Sequence, residues 1–225
     1  MPKIGTLNEK PLHASLKTWY AKPNAQFEIK VDGFVIDIVQ GNLLVEIQTG
    51  NFSSIKTKLK KLTKSHQVRL VYPIAQEKWL IKLPKDGGDK SIRRKSPKRG
   101  RVEDLFWEMV RIPELLGNKN FSLEILMTQE EEIRRYDKNK NWRRKGWGIV
   151  EHRLLAVVDR FPFENPTDWL ALLPKEMDEF TTKDLSEALG ISRKLSQKMA
   201  YTLRKANLIE LAGKKGRANF YKVRN

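Results

Sequence analysis

Asp37, Glu46 and Gln48 lie in a stretch, VIDIVQGNLLVEIQTG, whose other residues are those of a β-hairpin. Runs rich in Val, Ile and Leu flank Gly41-Asn42, and a Gly-Asn pair in that setting suits a two-residue II′ loop with Gly first. The loop pairs Gln40 with Leu43, Val39 with Leu44 and Ile38 with Val45, and so brings Asp37 opposite Glu46. Side chains alternate along a strand: Asp37, Glu46 and Gln48 share a face with Val35, Val39 and Leu44, while Ile36, Ile38, Val45 and Ile47 form the core face. Opposed carboxylates repel, and in crowded surroundings they cannot both ionise unless a cation or a shared proton compensates. Mg2+ or Mn2+ held by Asp37, Glu46 and the Ile47 carbonyl would relieve the clash, because such ions take oxygen ligands and keep several waters. A cation there acidifies a bound water and offsets charge growing on a phosphate. Gln48 is no base, but its amide can orient water or donate to a phosphate oxygen. A solvated polar face is the plainer reading of strand acids, and the three apolar residues on that face argue against it. Asp32 belongs to the turn VDGF.

The neighbouring segments supply the scaffold. NEKPLHASLKTWYA predicts a helix with Asn8 as N-cap, Pro11 in the first turn, and Leu12, Leu16, Trp19 and Tyr20 at helical spacing, with Glu9 on the side of Leu12 and Leu16. NFSSIKTKLKKLTKSH predicts an amphipathic basic helix, its stripe Phe52, Ile55, Leu59 and Leu62 bordered by Lys56, Lys58, Lys60, Lys61 and Lys64. QVRLVYPI and KWLIKL read as two strands. The order helix, strand, strand, helix, strand indicates an α/β protein with a mixed sheet.

That order, with these acids, resembles the core of the PD-(D/E)XK nuclease superfamily, over roughly Asn8 to Lys82. The resemblance implies a restriction-endonuclease-like core in which Asp37 and Glu46 bind a divalent metal for phosphodiester hydrolysis. Gln48 stands where the superfamily usually has Lys, and Ile36 where Pro often precedes the Asp. Glu9 matches the acid that many members carry on the first helix. The lost lysine keeps a catalytically inactive, DNA-binding descendant in view.

Lys and Arg number 44 against 27 Asp and Glu, a net charge of +17, which favours polyanionic partners, nucleic acid first. Without cysteine there are no disulfides, thiolate nucleophiles or Cys-based zinc sites. His13, His66 and His152 are scattered and read as surface or packing residues. No apolar run reaches the roughly 20 residues of a membrane span, and the first residues lack a signal-peptide core, so a cytoplasmic protein with no membrane partner is expected. KSIRRKSPKRGR reads as an exposed loop, equally a solvated segment or a phosphate contact. VEDLFWEMVRIPELLG predicts a helix packing Leu105, Phe106, Met109 and Ile112, FSLEILM a strand, and WGIVEHRLLAVVDRF part of a packed junction. KNWRRKGWG mixes tryptophans with basic residues and fits either stacking or packing.

The last sixty residues predict two helices, capped by Thr181 or Thr182 and by Ser192 and separated at Gly190, followed by two strands around GKKGRA. They resemble a winged-helix (helix-turn-helix) domain. Arg193, Lys194, Gln197, Lys198 and Tyr201 form its outward face, and Lys214, Lys215 and Arg217 its wing, types suited to phosphates and base edges. The expectation is a nuclease-like domain over residues 1–164 and a DNA-binding domain over 165–225. Together they make a Mg2+- or Mn2+-dependent DNA endonuclease, with a DNA-binding regulator as the alternative, and a homodimer is left open.

Overall fold

Two tight turns organise the first part of the sheet. The computed structural model describes residues 10–85, 90–139 and 142–224. β1 (Gln26–Val31) and β2 (Phe34–Gln40) join through Asp32-Gly33, with φ of 49° and 82°, the pair of positive values a type I′ loop requires. Between β2 and β3 (Leu43–Ile47), Gly41 has φ 57° and Asn42 does not turn positive, as in a II′ loop. Gln40, Val39 and Ile38 pair with Leu43, Leu44 and Val45, the register expected from the sequence.

β3 runs parallel to β4 (Gln67–Lys82), and β4 parallel to β6 (Phe121–Tyr136), while β7 (Trp147–Phe163) is antiparallel to β6. A short β5 (Ile92–Lys95) lies antiparallel on the far half of β4, giving a mixed seven-stranded sheet ordered β1-β2-β3-β4-β6-β7 with β5 beside β4. α1 (Pro11–Tyr20) covers one face, burying Leu12, Leu16 and Tyr20 with Ile38, Val45, Ile47 and Val71. α2 (Phe52–Leu62) covers the other, with all four residues of its apolar stripe buried beside Leu44, Leu70 and Leu123. A 3-10 turn at Val102–Leu105 leads into the single-turn α3 (Phe106–Met109), where Leu105, Phe106, Met109 and Ile112 are fully buried.

Three expectations change. QVRLVYPI and KWLIKL are one strand: Pro73 is tolerated because its missing N–H faces the edge of β4 beyond the end of β3, where no ladder partner remains. WGIVEHRLLAVVDRF is no junction but most of β7. KSIRRKSPKRGR contributes β5 as well as loop. The proposed Asn8 cap and Glu9 lie outside the described residues, and α1 begins after Lys10 with proline at its start.

Beyond β7 come the short α4 (Pro166–Leu170) and β8 (Glu179–Thr181), then α5 (Thr182–Leu189), α6 (Arg193–Lys205), β9 (Ile209–Lys215) and β10 (Ala218–Val223). Thr181 Oγ1 accepts the Lys183 and Asp184 N–H groups, and Asp184 accepts the Thr181 N–H at 2.9 Å, a reciprocal cap. Gly190 ends α5 at φ 61°, and Ser192 caps α6 by accepting the Leu195 N–H at 3.2 Å. The strands form a sheet ordered β8-β10-β9. Leu195, Met199 and Leu203 of α6 are buried in the same cluster as Phe106, Met109 and Leu123, so one apolar core continues from the large sheet into the last helices. No helix of the described residues is long and apolar enough to cross a membrane.

Candidate functional site

Asp37 sits where β2 separates from β3. The ladder is regular from Gln40 to Ile38, and at Asp37 the carboxylate takes the place of a backbone carbonyl: Oδ2 accepts the Ile47 N–H at 2.8 Å. Face alternation breaks at this residue. Ile38 packs under α1, but Ile36 packs with Leu44 on the α2 side, which corrects the expectation that both isoleucines share a face. His13, on α1, reaches the same oxygen with Nε2 at 3.2 Å. Burial opposes ionisation of Asp37, but the contact with His13, the Ile47 N–H and the Lys58 ammonium outweigh it and hold its carboxyl below the usual range.

Glu46 is 3% exposed and lies on the α2 side of β3. Burial and the nearby Asp37 carboxylate push its pKa up to about 7, against the opposing pull of Lys58. Lys58 is the residue that sequence reasoning missed. Its Nζ lies 2.5 Å from Glu46 Oε1 and donates to the Val35 carbonyl at 2.5 Å, so α2 delivers an ammonium to the acids from across the sheet face. Glu46 Oε1 is buried, and the Lys58 ammonium is its charge partner. Glu124, a deeply buried acid on the α1 side, differs: Tyr20 and Arg69 meet its Oε2, and Arg160 Nε donates to Oε1 at 2.6 Å. Glu124 is answered by three side chains and ties α1 to β4, β6 and β7, whereas Glu46 is answered by the Lys58 ammonium.

Gln48 is placed differently from the expectation. Its amide nitrogen donates to the Gly50 carbonyl and lies 3.5 Å from the Asn51 carbonyl and 3.4 Å from Ser54 Oγ, which fastens the turn into α2 where Asn51 has φ 55°. Its backbone N–H donates to Val71, so the N–H and carbonyl of the preceding Ile47 point toward β2, the side where the ladder has opened. Asp37, Glu46 and Ile47 are thus brought together, with His13 and Lys58 added and Gln48 turned to the loop. Among the described residues, no group of three or more His, Asp and Glu side chains is arranged to hold a metal ion.

A cleft of about 760 Å³ starts at the carboxyl end of β3, with Lys10, Leu12 and Thr49 at one end, Tyr72 and Trp107 on its walls, and Glu130 and His152 beyond. Burial, helped by Glu108, Asp104 and Glu130, raises the Tyr72 hydroxyl to about 12.

The residues expected to contact DNA divide into two groups. Arg193, Lys194, Gln197 and Tyr201 are exposed along one side of α6, and Lys214, Lys215 and Arg217 are exposed in the β9–β10 hairpin. Lys198 is only partly exposed, its Nζ 5.6 Å from the Trp107 ring centroid, because α6 packs on α3 there.

Residues 10–164 match a family described as "Domain of unknown function (DUF8091)", more than half of the chain. The chain belongs to the DUF8091 family. The DUF8091 match stops one residue after β7 and contains Asp37, Glu46 and Lys58. A protein of Treponema pallidum (strain Nichols), titled "Uncharacterized protein", is 30% identical over 222 residues, covering 97% of this chain and 87% of that one, so the similarity extends through the helices and hairpin that follow the DUF8091 region. No solved structure matches.

Proposed function

We propose that this protein is a metal-dependent deoxyribonuclease of the PD-(D/E)XK kind, with Lys58 supplying the cation that Gln48 lacks. The meeting of Asp37, Glu46 and Lys58 at the opened end of the hairpin carries this reading. Two carboxylates and the Ile47 carbonyl make a hard oxygen set suited to Mg2+ or Mn2+, and Lys58 holds a positive charge against Glu46 Oε1 at the same place. The bound ion would acidify a water and offset charge on the phosphate. His13 and the Ile47 N–H orient Asp37 from opposite elements. Lys58 is placed to donate to a phosphate oxygen, while Gln48 serves by fixing the turn that starts α2.

The capped α5–α6 pair and its three-stranded sheet support a winged-helix reading. In it, Arg193, Lys194, Gln197 and Tyr201 meet a duplex groove, Lys214, Lys215 and Arg217 grip phosphates, and Lys198 leaves the contact set. A second reading, a DNA-binding regulator without catalysis, draws on the Gln48 amide being used by the turn and on Lys58 already compensating Glu46.

Plasmid cleavage separates the two readings. Wild type should cut in Mg2+ or Mn2+ and stop with chelator, and Glu46→Gln at matched purity should not cut. Equal cleavage by both proteins would sink the site assignment. No cleavage by wild type in either metal, with DNA binding intact, would favour the regulator.

A further inference from the structure

The cleft at the carboxyl end of β3 does not end at His152. It shares Ala75, Lys78, Gly100 and Asp104 with a second recess of about 600 Å³, floored by the far halves of β4 and β6. The charges around this recess do not balance. Lys78 and Arg134 are both held by Glu132, at 3.3 and 2.5 Å. Arg99 turns to Glu77, at 2.6 Å, which also holds Lys95 at 2.7 Å. Asp104 accepts the Arg101 N–H at 3.0 Å and so serves the 3-10 turn. Arg94, Lys98 and Arg144 line the same recess and make no ion pair with another described residue.

The three come from separate elements. Arg94 is on β5, opposite Leu80, while Arg93 and Lys95 lie on the other face with their charges 5.0 and 5.3 Å from the Trp79 ring. Lys98 comes from the loop after β5, and Arg144 from the 3-10 turn Trp142–Arg144 before β7. That loop is held close to the sheet: the Gly100 N–H donates to the Ala75 carbonyl at 3.0 Å, and a Cβ on Gly100 would lie 2.5 Å from that oxygen. Three cations from three elements around one recess, with the adjoining carboxylates already engaged, form a receptor for a polyanion.

We propose that this recess binds backbone phosphates of a single nucleic-acid strand, which continues along the cleft toward Asp37 and Glu46. The recess and cleft are concave and contiguous, which suits one strand, whereas a duplex would rest across the rims. The direction of the strand rests on the nuclease reading, but the cation cradle does not.

The experiment measures binding in chelator, where no cleavage occurs. Wild type and the triple variant Arg94→Ala, Lys98→Ala, Arg144→Ala, all exposed positions, are titrated across salt concentrations with a labelled 20-nucleotide single strand and a blunt duplex. Thermal melting establishes that both proteins are folded. The triple variant should lose at least tenfold in single-strand affinity, and its slope of log K against log salt should shrink by about 2, from about 0.7 per phosphate contact. Duplex affinity should change less than twofold. Unchanged single-strand affinity and slope overturn the cradle, and a parallel loss for duplex overturns the single-strand assignment. Inorganic phosphate or pyrophosphate displacing the strand at micromolar concentration would reassign the recess to a small phosphorylated ligand. A wild type that binds strands through these residues yet never cuts in metal keeps the cradle and refutes the nuclease.

Discussion

Replacing Glu46 by Gln should separate the stability of the two proteins in a pH-dependent way. Glu46 is 3% exposed, and its pKa rises from 4.5 to about 7 on folding. Below pH 4.5 the carboxyl is protonated in both states and resembles the Gln variant. Between 4.5 and 7 the unfolded chain gives up the proton while the folded chain keeps it, so stability falls as pH rises, and above 7 the loss is complete. At 1.36 kcal/mol per unit, the 2.5-unit difference amounts to about 3 kcal/mol. The Lys58 contact is already contained in that figure. Unfolding free energies of wild type and Glu46→Gln, from urea titrations in chelator between pH 4 and 8, should therefore diverge by about 3 kcal/mol in favour of the variant. Magnesium added at pH 8 should restore part of the loss to wild type and nothing to Glu46→Gln, because a ligand of the folded state stabilises only the chain that binds it. Parallel pH profiles would refute the argument, since Glu46 would then be solvated or differently paired.

Lys58→Met should lower metal-dependent cleavage by about 10²–10³, the usual cost of losing one preorganised donor to developing charge, while duplex binding stays intact; cleavage kinetics and a gel shift on the same preparation check both. Lys214→Ala, Lys215→Ala and Arg217→Ala combined should weaken duplex binding for all sequences and reduce the salt slope by about 3, and an unchanged slope would remove the hairpin from the interface. Leu203→Ala, at a fully buried position in the shared core, should cost about 2–5 kcal/mol and lower one common transition seen by tryptophan fluorescence and circular dichroism. Two separate transitions would mean that the helices after β7 unfold independently.

The hairpin register was readable because the Gly41-Asn42 turn and a two-residue period leave few alternatives. The helix stripes of α2 and α6 were readable for the corresponding reason, at a period of 3.6. Lys58 was hidden among the four lysines of α2, and spacing narrows the choice only to Lys56 and Lys58. Lys58 follows Ile55 by three and precedes Leu62 by four, but Lys56 follows Phe52 by four and precedes Leu59 by three, and both are half-buried while Lys60 and Lys61 are exposed. His13 gave no comparable signal, because its link to Asp37 depends on how α1 crosses the sheet. β7 escaped because its pairing with β6 shifts register three times, and each shift resets the alternation that marks a strand. The break at Asp37 was unreadable for a related reason: a carboxylate standing in for a ladder carbonyl leaves no trace in residue type.

The stretch of β4 left bare between the end of β3 and the start of β5 has a further consequence. An open strand edge invites pairing with another chain, and here that edge lies within a sheet rich in Val, Ile and Leu. The bare edge is closed off piecemeal. Pro73 has no hydrogen to offer, the Ala75 carbonyl is taken by Gly100, the Lys78 carbonyl is taken by Ser96 at 2.7 Å, and a bulge between Ala75 and Glu77 spoils the straight template. The features that border the cleft along β4 therefore also guard the chain against edge-to-edge aggregation, so that a variant such as Pro73→Val would trade solubility for a more regular strand.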